Sequence, residues 1–233
     1  MPPRRVLIGT PAHDGRVDVH YALSLTRTAR MAVERGIELR ELFLAYDAII
    51  QNARNDLVKL ALENQFDDLI FIDGDQDWEP EWVFKLLEYP VDCVGAAVRK
   101  MTDQEERYNV KAAMGALSIL TDKATGLMSS HDMALGTGFL RLSRRALQVL
   151  WDNSEKYTAF QGRSQGAWIF DIRPVNGELV GEDTHVSDKL RQHGIQTWLA
   201  PGMTCGHIGS KRFVGDFEKW LEGQREFERK ERA

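Results

Sequence analysis

Apolar and polar positions alternate in blocks along the first hundred residues, and the blocks switch period. Residues 5–12 (Arg-Val-Leu-Ile-Gly-Thr-Pro-Ala) form a short apolar run closed by Gly9 and Pro11, which predicts a strand opening into a loop. Residues 19–34 then place apolar side chains at helical spacing until Gly36 stops them. A second strand is predicted over 37–45, a helix over 48–64 and a strand over 69–72. A helix follows from Pro80 through Leu87, and another strand over 92–98. Strands alternating with helices predict an α/β domain with a central, mostly parallel sheet flanked by helices. Ligands of such sheets bind beyond the carboxyl ends of the strands. Residues 10–14 and 73–77 both fall there.

The second half is less regular. Gly136 and Gly138 precede an alternating strand that ends at Leu142, and Ser143 is placed to cap a helix from Arg144 to about Asp152. Residues 157–179 mix aromatics, glycines and Pro174 and predict a long loop or hairpin. A helix over 183–193 ends at Gly194, and a last strand over 195–200 leads into the glycine-rich stretch 202–209. The tail, 213–233, predicts a charged amphipathic helix with Phe217, Trp220 and Leu221 on one apolar face. The expected division is a domain over 1–212 followed by this helix, packed on the domain or extending from it.

The strongest chemical signal is residues 69–78, Leu-Ile-Phe-Ile-Asp-Gly-Asp-Gln-Asp-Trp. An apolar run that stops at Asp73-Gly74-Asp75 puts two carboxylates at the end of a buried strand, on the same side of an extended chain. Mg²⁺ and Mn²⁺ take such oxygen donors and complete their shells with water and phosphate. The same run also fits a strand followed by an Asp-rich turn.

Composition narrows the class. With 233 residues, 43% hydrophobic and 28% charged, the chain predicts a globular domain with a sizeable core. No apolar run reaches the roughly 18 residues of a membrane span, the amino-terminal apolar stretch is short for a signal peptide, and a cytoplasmic location is expected. The two cysteines, Cys93 and Cys205, form no disulfide framework or zinc pattern. The formal net charge of −5 argues against a broad basic nucleic-acid surface, although a local basic groove is compatible with it.

Five segments occur in order: Ala53-Arg54-Asn55, Asp73-Gly74-Asp75, Gly136-Thr137-Gly138-Phe139 leading to Arg144-Arg145-Ala146-Leu147, Gly181-Glu182-Asp183, and Cys205-Gly206-His207. Together they resemble the family 2-like glycosyltransferases of the GT-A fold, in particular the compact bacterial and phage branch related to the yeast mannan polymerase subunits. The resemblance spans roughly residues 5 to 210 and rests on order and spacing. It implies a Rossmann-like GT-A domain that moves a sugar from a nucleotide-diphosphate donor, UDP-linked by expectation, to an acceptor hydroxyl.

By this resemblance, Asp75 with Asp73 alongside, and His207, would hold the Mn²⁺ or Mg²⁺ on the donor's diphosphate. Arg54 would meet phosphate or a base edge, and Asn55 a nucleobase or ribose. Thr10, Pro11 and Ala12 would line the nucleotide pocket, with Gly74 beside them and His13 and Asp14 nearby. Asp183 would be the general base of an inverting enzyme, with Glu182 shaping the site. In a retaining enzyme Asp183 loses that role, and the acidic pair also suits a plain helix start.

Gly136, Thr137 and Gly138 would admit the sugar or acceptor, and Arg99 and Lys100 would meet phosphate or a donor hydroxyl. Trp168, with Tyr157, Phe160 and Phe170, would offer an acceptor platform; loop aromatics equally form a small core of their own. Many bacterial members carry a carboxyl-terminal membrane helix. This chain ends in a charged helix, so the expected acceptor is soluble or polymeric. Phage members of this look glycosylate hydroxymethylated bases, which makes DNA one candidate acceptor beside a glycan or small molecule. The competing readings are a non-catalytic nucleotide-sugar-binding scaffold, a sugar nucleotidyltransferase, whose basic glycine-rich first loop is missing here, and a haloacid-dehalogenase-like phosphatase, whose Asp-x-Asp lies near the amino terminus.

Overall fold

Val6, Leu7 and Ile8 are all buried, the pattern of a strand covered on both faces. In this computed structural model, which describes residues 2–112, 114–159, 164–175 and 177–232, they belong to β1 (Arg5–Ala12). Helix α1 (Val19–Glu34) begins where the Asp18 carboxylate accepts from the His20 N–H. Gly36 then takes φ +65°, a conformation that costs glycine little, and turns the chain into β2 (Glu38–Ala45). Helix α2 (Ile50–Glu63) leads to β3 (Asp68–Ile72), every residue of which is buried, and to the short β4 (Gln76–Asp77). Pro80 occupies the first turn of α3 (Pro80–Glu88), where a missing N–H costs nothing, and β5 (Cys93–Val98) follows.

The two-residue strands β6 (Val110–Lys111), β7 (Leu120–Thr121), β8 (Met128–Ser129) and β9 (Ala134–Leu135) lead to β10 (Phe139–Ser143). The Ser143 hydroxyl accepts from the Ala146 N–H and caps α4 (Arg144–Asp152). Two hairpins come next, β11 (Lys156–Ala159) with β12 (Ser164–Ala167) and β13 (Arg173–Val175) with β14 (Glu178–Val180). Helix α5 (Glu182–Gln192), β15 (Thr197–Ile208), β16 (Arg212–Phe213) and α6 (Phe217–Glu231) complete the chain.

The central strands lie in the order β2, β1, β3, β10, β5, β15. Five of these six run one way; β10 runs against both β3 and β5. Pleating sorts the core into two layers. Val6, Ile8, Ile70, Ile72, Val94 and Ala96 meet Tyr21 of α1 and Val83 and Phe84 of α3. Leu7, Leu69, Phe71, Cys93 and Ala97 share the other layer with Leu57 of α2, Leu147 of α4, Leu190 of α5 and Leu221 of α6. The α/β architecture is the expected one: a single domain with a mostly parallel sheet between helices.

Three elements depart from expectation. The strand predicted to alternate, β10, is buried at Phe139, Leu140, Arg141 and Leu142, because it lies mid-sheet with helices on both sides. Its buried Arg141 is matched to Asp68, which is wholly buried and also binds Arg4. The last strand does not stop at Ala200 but bulges between Leu199 and Thr204 and resumes pairing with Ala97 and Val98. The stretch expected as one loop or hairpin over 157–179 holds strands from two hairpins.

Candidate active site

The apolar drive that buries β3 ends at Ile72, and the next residues emerge at its carboxyl end. Asp73 is held by its own N–H, which donates to the Gly138 carbonyl at 3.1 Å. A Cβ on Gly138 would lie 2.1 Å from the Gln76 amide nitrogen and 3.2 Å from Asp73 Oδ2, so a side chain there would force the buried Gln76 amide to shift. The sequence reading gave Gly136, Thr137 and Gly138 to a sugar or acceptor. The structure packs these glycines against the protein's own side chains, Gly136 against Asn109.

Arg54, on α2, is 3% exposed and sits where three carboxylates converge. Its Nη2 donates to Asp73 Oδ1 at 3.2 Å, and its Nη1 to Glu182 Oε1 at 2.7 Å, with Asp183 Oδ1 3.5 Å from the same Nη1. Burial works against its charge, but the three acids outweigh it and keep the guanidinium protonated more firmly than a free arginine. The Phe170 ring lies 5.9 Å from the guanidinium carbon. Arg54 is thus engaged with protein carboxylates and ties the end of β3 to the start of α5.

Asp183 is further fixed by Thr137, whose N–H and hydroxyl both donate to Oδ1, at 3.2 and 2.8 Å. Desolvation by the surrounding packing raises its affinity for a proton, Arg54 and Thr137 oppose this, and Glu182 and Asp73 add to it. The net result lies above the usual aspartate range.

Asp75 pairs with His207 across β4 and β15, with 3.2 Å between Oδ2 and Nε2. The His207 Nδ1 sits 3.0 Å from the Arg99 carbonyl, which fixes the proton on Nδ1 and turns Nε2 toward Asp75. Burial disfavours the imidazolium, yet the Asp75 carboxylate outweighs it and raises the His207 pKa above that of a free histidine. Adjacent ligands of an octahedral ion with bonds of about 2.1 Å stand about 3 Å apart, so this nitrogen and oxygen fit two neighbouring positions on Mg²⁺ or Mn²⁺. Among the described residues no three His, Cys, Asp or Glu side chains gather into a metal cage. Asp73 is turned to Arg54, so of the three expected ligands Asp75 and His207 are the two whose side chains meet.

A cleft of about 480 Å³ opens beside these groups, lined by Pro11, Ala12, His13, Asp14, Arg16, Val17, Asp73, Gly74, Asp75, Ile50 and Ile208 among others. Its size is that of a small-molecule site. Pro11, Ala12, His13, Asp14 and Gly74, expected at or beside a nucleotide pocket, all line this cleft. Thr10 does not line it: it is 1% exposed and shares a 2.5 Å hydrogen bond with the Tyr21 hydroxyl. Ile50, from the start of α2, and Ile208, from the end of β15, escaped the sequence reading because only the sheet order brings them together.

Other expected contacts are taken up internally. Asn55 is 1% exposed, and its Oδ1 accepts from the N–H groups of Ile169 and Phe170 at 3.2 and 2.8 Å. Arg99 donates to the carbonyls of Lys100, Thr102 and Arg107 and braces its own loop, while Lys100 is exposed beside Glu105, Arg107 and Trp220. Phe170 is buried edge-on against Phe71. Trp168, partly exposed, meets Tyr157 edge-on with 5.6 Å between centroids, and Phe160 lies outside the described residues.

The chain is similar in structure to A197 from STIV, at 17% identity and a TM-score of 0.50, over 91% of this chain and 88% of that one. This likeness speaks for the fold. Weaker likenesses are to a glycosyltransferase involved in the glycosylation of the major capsid of PBCV-1 (10% identity, TM-score 0.33, 64% of this chain and 66% of that one) and to a protein from Bacillus anthracis assigned as a glucose-1-phosphate thymidylyltransferase (8%, 0.40, 88% and 89%). No protein-family model and no curated protein matches the sequence. Among the described residues, no helix is long and apolar enough to cross a membrane.

Proposed function

We infer that this chain is a metal-dependent glycosyltransferase that moves a sugar from a nucleoside-diphosphate donor, by preference a UDP-sugar, to an acceptor hydroxyl. The observation that carries this reading is the Arg54 bridge, which ties the acidic edge of the cleft at Asp73 to a separate carboxylate, Asp183, of raised pKa. A cleft of small-molecule size on one side and a proton acceptor on the other are what sugar transfer needs.

Asp75 and His207 would hold Mn²⁺ or Mg²⁺, which when bound offsets the charge of the departing diphosphate. Pro11, Ala12 and Gly74, which line the cleft, would form the wall for the nucleotide. The acceptor hydroxyl gives its proton to Asp183 as its oxygen bonds to the anomeric carbon. The carbon–oxygen bond to the diphosphate breaks, and its electron pair leaves with the phosphate oxygen. A carboxylate whose pKa is raised toward neutrality is the stronger base for this step, and such a base is typically worth about 10²- to 10⁴-fold in rate. Arg54 holds the acids without touching substrate.

A thermal-shift panel of nucleotide sugars with and without Mn²⁺ tests the reading. A matching donor near a hundredfold over its Kd is expected to raise the melting temperature by about 5 °C or more in the presence of the metal. Asp75→Ala is expected to lose the metal-dependent part. No metal-dependent shift with any donor would overturn the assignment.

A further inference from the structure

Both hydrogen bonds that the Asp183 side chain accepts among the described residues fall on one of its two oxygens. The Thr137 N–H and hydroxyl reach Oδ1 at 3.2 and 2.8 Å, and Arg54 Nη1 also lies nearest Oδ1, at 3.5 Å. Asp183 Oδ2 accepts no hydrogen bond among the described residues, and the side chain is 31% exposed. Thr137 is itself 1% exposed, so its hydroxyl is committed to this contact and not to substrate. The backbone that presents it is held in place: Gly136 lies tight against Asn109, Gly138 against Gln76, and the Gly138 carbonyl receives the Asp73 N–H.

We propose that Thr137 is a positioning residue that locks Asp183 through Oδ1 and so aims Oδ2 at the acceptor hydroxyl as the single proton-accepting oxygen. This rests on the glycosyltransferase reading. A carboxylate free to rotate would divide its lone pairs among several directions, and only a fraction of encounters would find an oxygen in line. A hydrogen bond to the ionised form also stabilises it, so Thr137 keeps Asp183 from rising further toward protonation. The charged groups that face Asp183 are Arg54 from α2, Asp73 from the end of β3 and Glu182 from its own helix. Lys111 is engaged one residue on, with the Thr184 hydroxyl. None of these donates a hydrogen bond to Oδ2.

Thr137→Val removes the hydroxyl donor and keeps the branched shape and the N–H; Thr137→Ser keeps the donor; Thr137→Ala serves if the valine variant folds poorly. The Asp183 carboxyl, followed by carbon-13 NMR and assigned with Asp183→Asn, is expected to titrate at higher pH in the valine or alanine variant and as wild type in the serine variant. In transfer assays kcat is expected to fall about tenfold or more for valine, with its acid limb moved to higher pH, and to recover with serine, while the donor KM is unchanged. Identical titration in all variants, or an equal loss of kcat with serine and valine, would overturn the proposal. A wild-type protein that transfers no sugar would overturn the functional reading instead, and the NMR titration would still decide whether Thr137 governs Asp183.

Discussion

At Arg54 a single buried guanidinium answers three acids that are each less than a third exposed. Taking it away leaves those carboxylates facing one another beside the cleft, and breaking a buried ion pair from one side costs about 3 to 5 kcal/mol. Because the partners keep some contact with water, Arg54→Met is expected at the lower end, near 3 kcal/mol by urea denaturation. Arg54→Lys should recover little of this, since an ammonium cannot fork to Asp73 and Glu182 at once. Asp183 behaves in the opposite sense. Its folded pKa lies above the ordinary aspartate value, so its contribution to stability is present at low pH and is lost as pH rises through the folded value. Asp183→Asn is therefore expected to melt no lower than wild type at pH 7, with any advantage shrinking toward pH 4, while sugar transfer is lost. A variant that is both inactive and markedly less stable at pH 7 would speak for a structural carboxylate. These residues were legible as chemistry, in Asp73-Gly74-Asp75 and Glu182-Asp183. The partnership of Arg54 with both was not, since nothing local says that residues 54 and 182 meet.

Among the elements, the apolar face of α6 was readable, although the helix expected from Phe213 begins at Phe217 because Phe213 pairs in β16. Phe217, Trp220 and Leu221 do form its inner face, against Tyr108 and the layer beneath, and Glu228 accepts from the N–H groups of Ala116 and Leu117. Leu221→Ala is expected to cost about 2 to 4 kcal/mol by chemical denaturation. Phe227→Ala, at a position 60% exposed, should stay within about 0.5 kcal/mol. Equal effects would mean that the helix is not docked as described. The extension of β15 was hidden for a physical reason. Pro201 and Gly202 are the residues that normally end a strand, and here they form a bulge after which pairing with β5 resumes. That resumption delivers His207 opposite Gln76, the residue next to His207's partner Asp75. A stop signal in sequence was thus a bend in the sheet, and it hid the strand that carries a candidate ligand.

Across the whole molecule, the site exists because β10 runs backwards. Phe139 pairs with Ile72, so the start of β10 stands at the carboxyl end of β3, and the Gly-Thr-Gly turn arrives beside Asp73. Had β10 run parallel to β3, its other end would lie there and Thr137 would be a sheet's length from Asp183. Strand direction across so long a connection is not written in local pattern, which is why the motifs could be ordered along the chain but not joined. The joined arrangement predicts energetic coupling between residues remote in sequence. Asp73 and Glu182 bind different nitrogens of Arg54. Removing one leaves the guanidinium two acids, and removing both leaves it only Asp183. The double variant Asp73→Asn/Glu182→Gln is therefore expected to lose more stability than the sum of the single losses, with an interaction energy of about 0.5 to 3 kcal/mol in a double-mutant cycle. A control cycle of Asp73→Asn with Glu38→Gln, whose carboxylate binds Arg5 at the edge of the sheet, should be additive. Additivity in the first cycle would mean that the strand end and the helix start are held independently, and that Arg54 does not unite the two halves of the site.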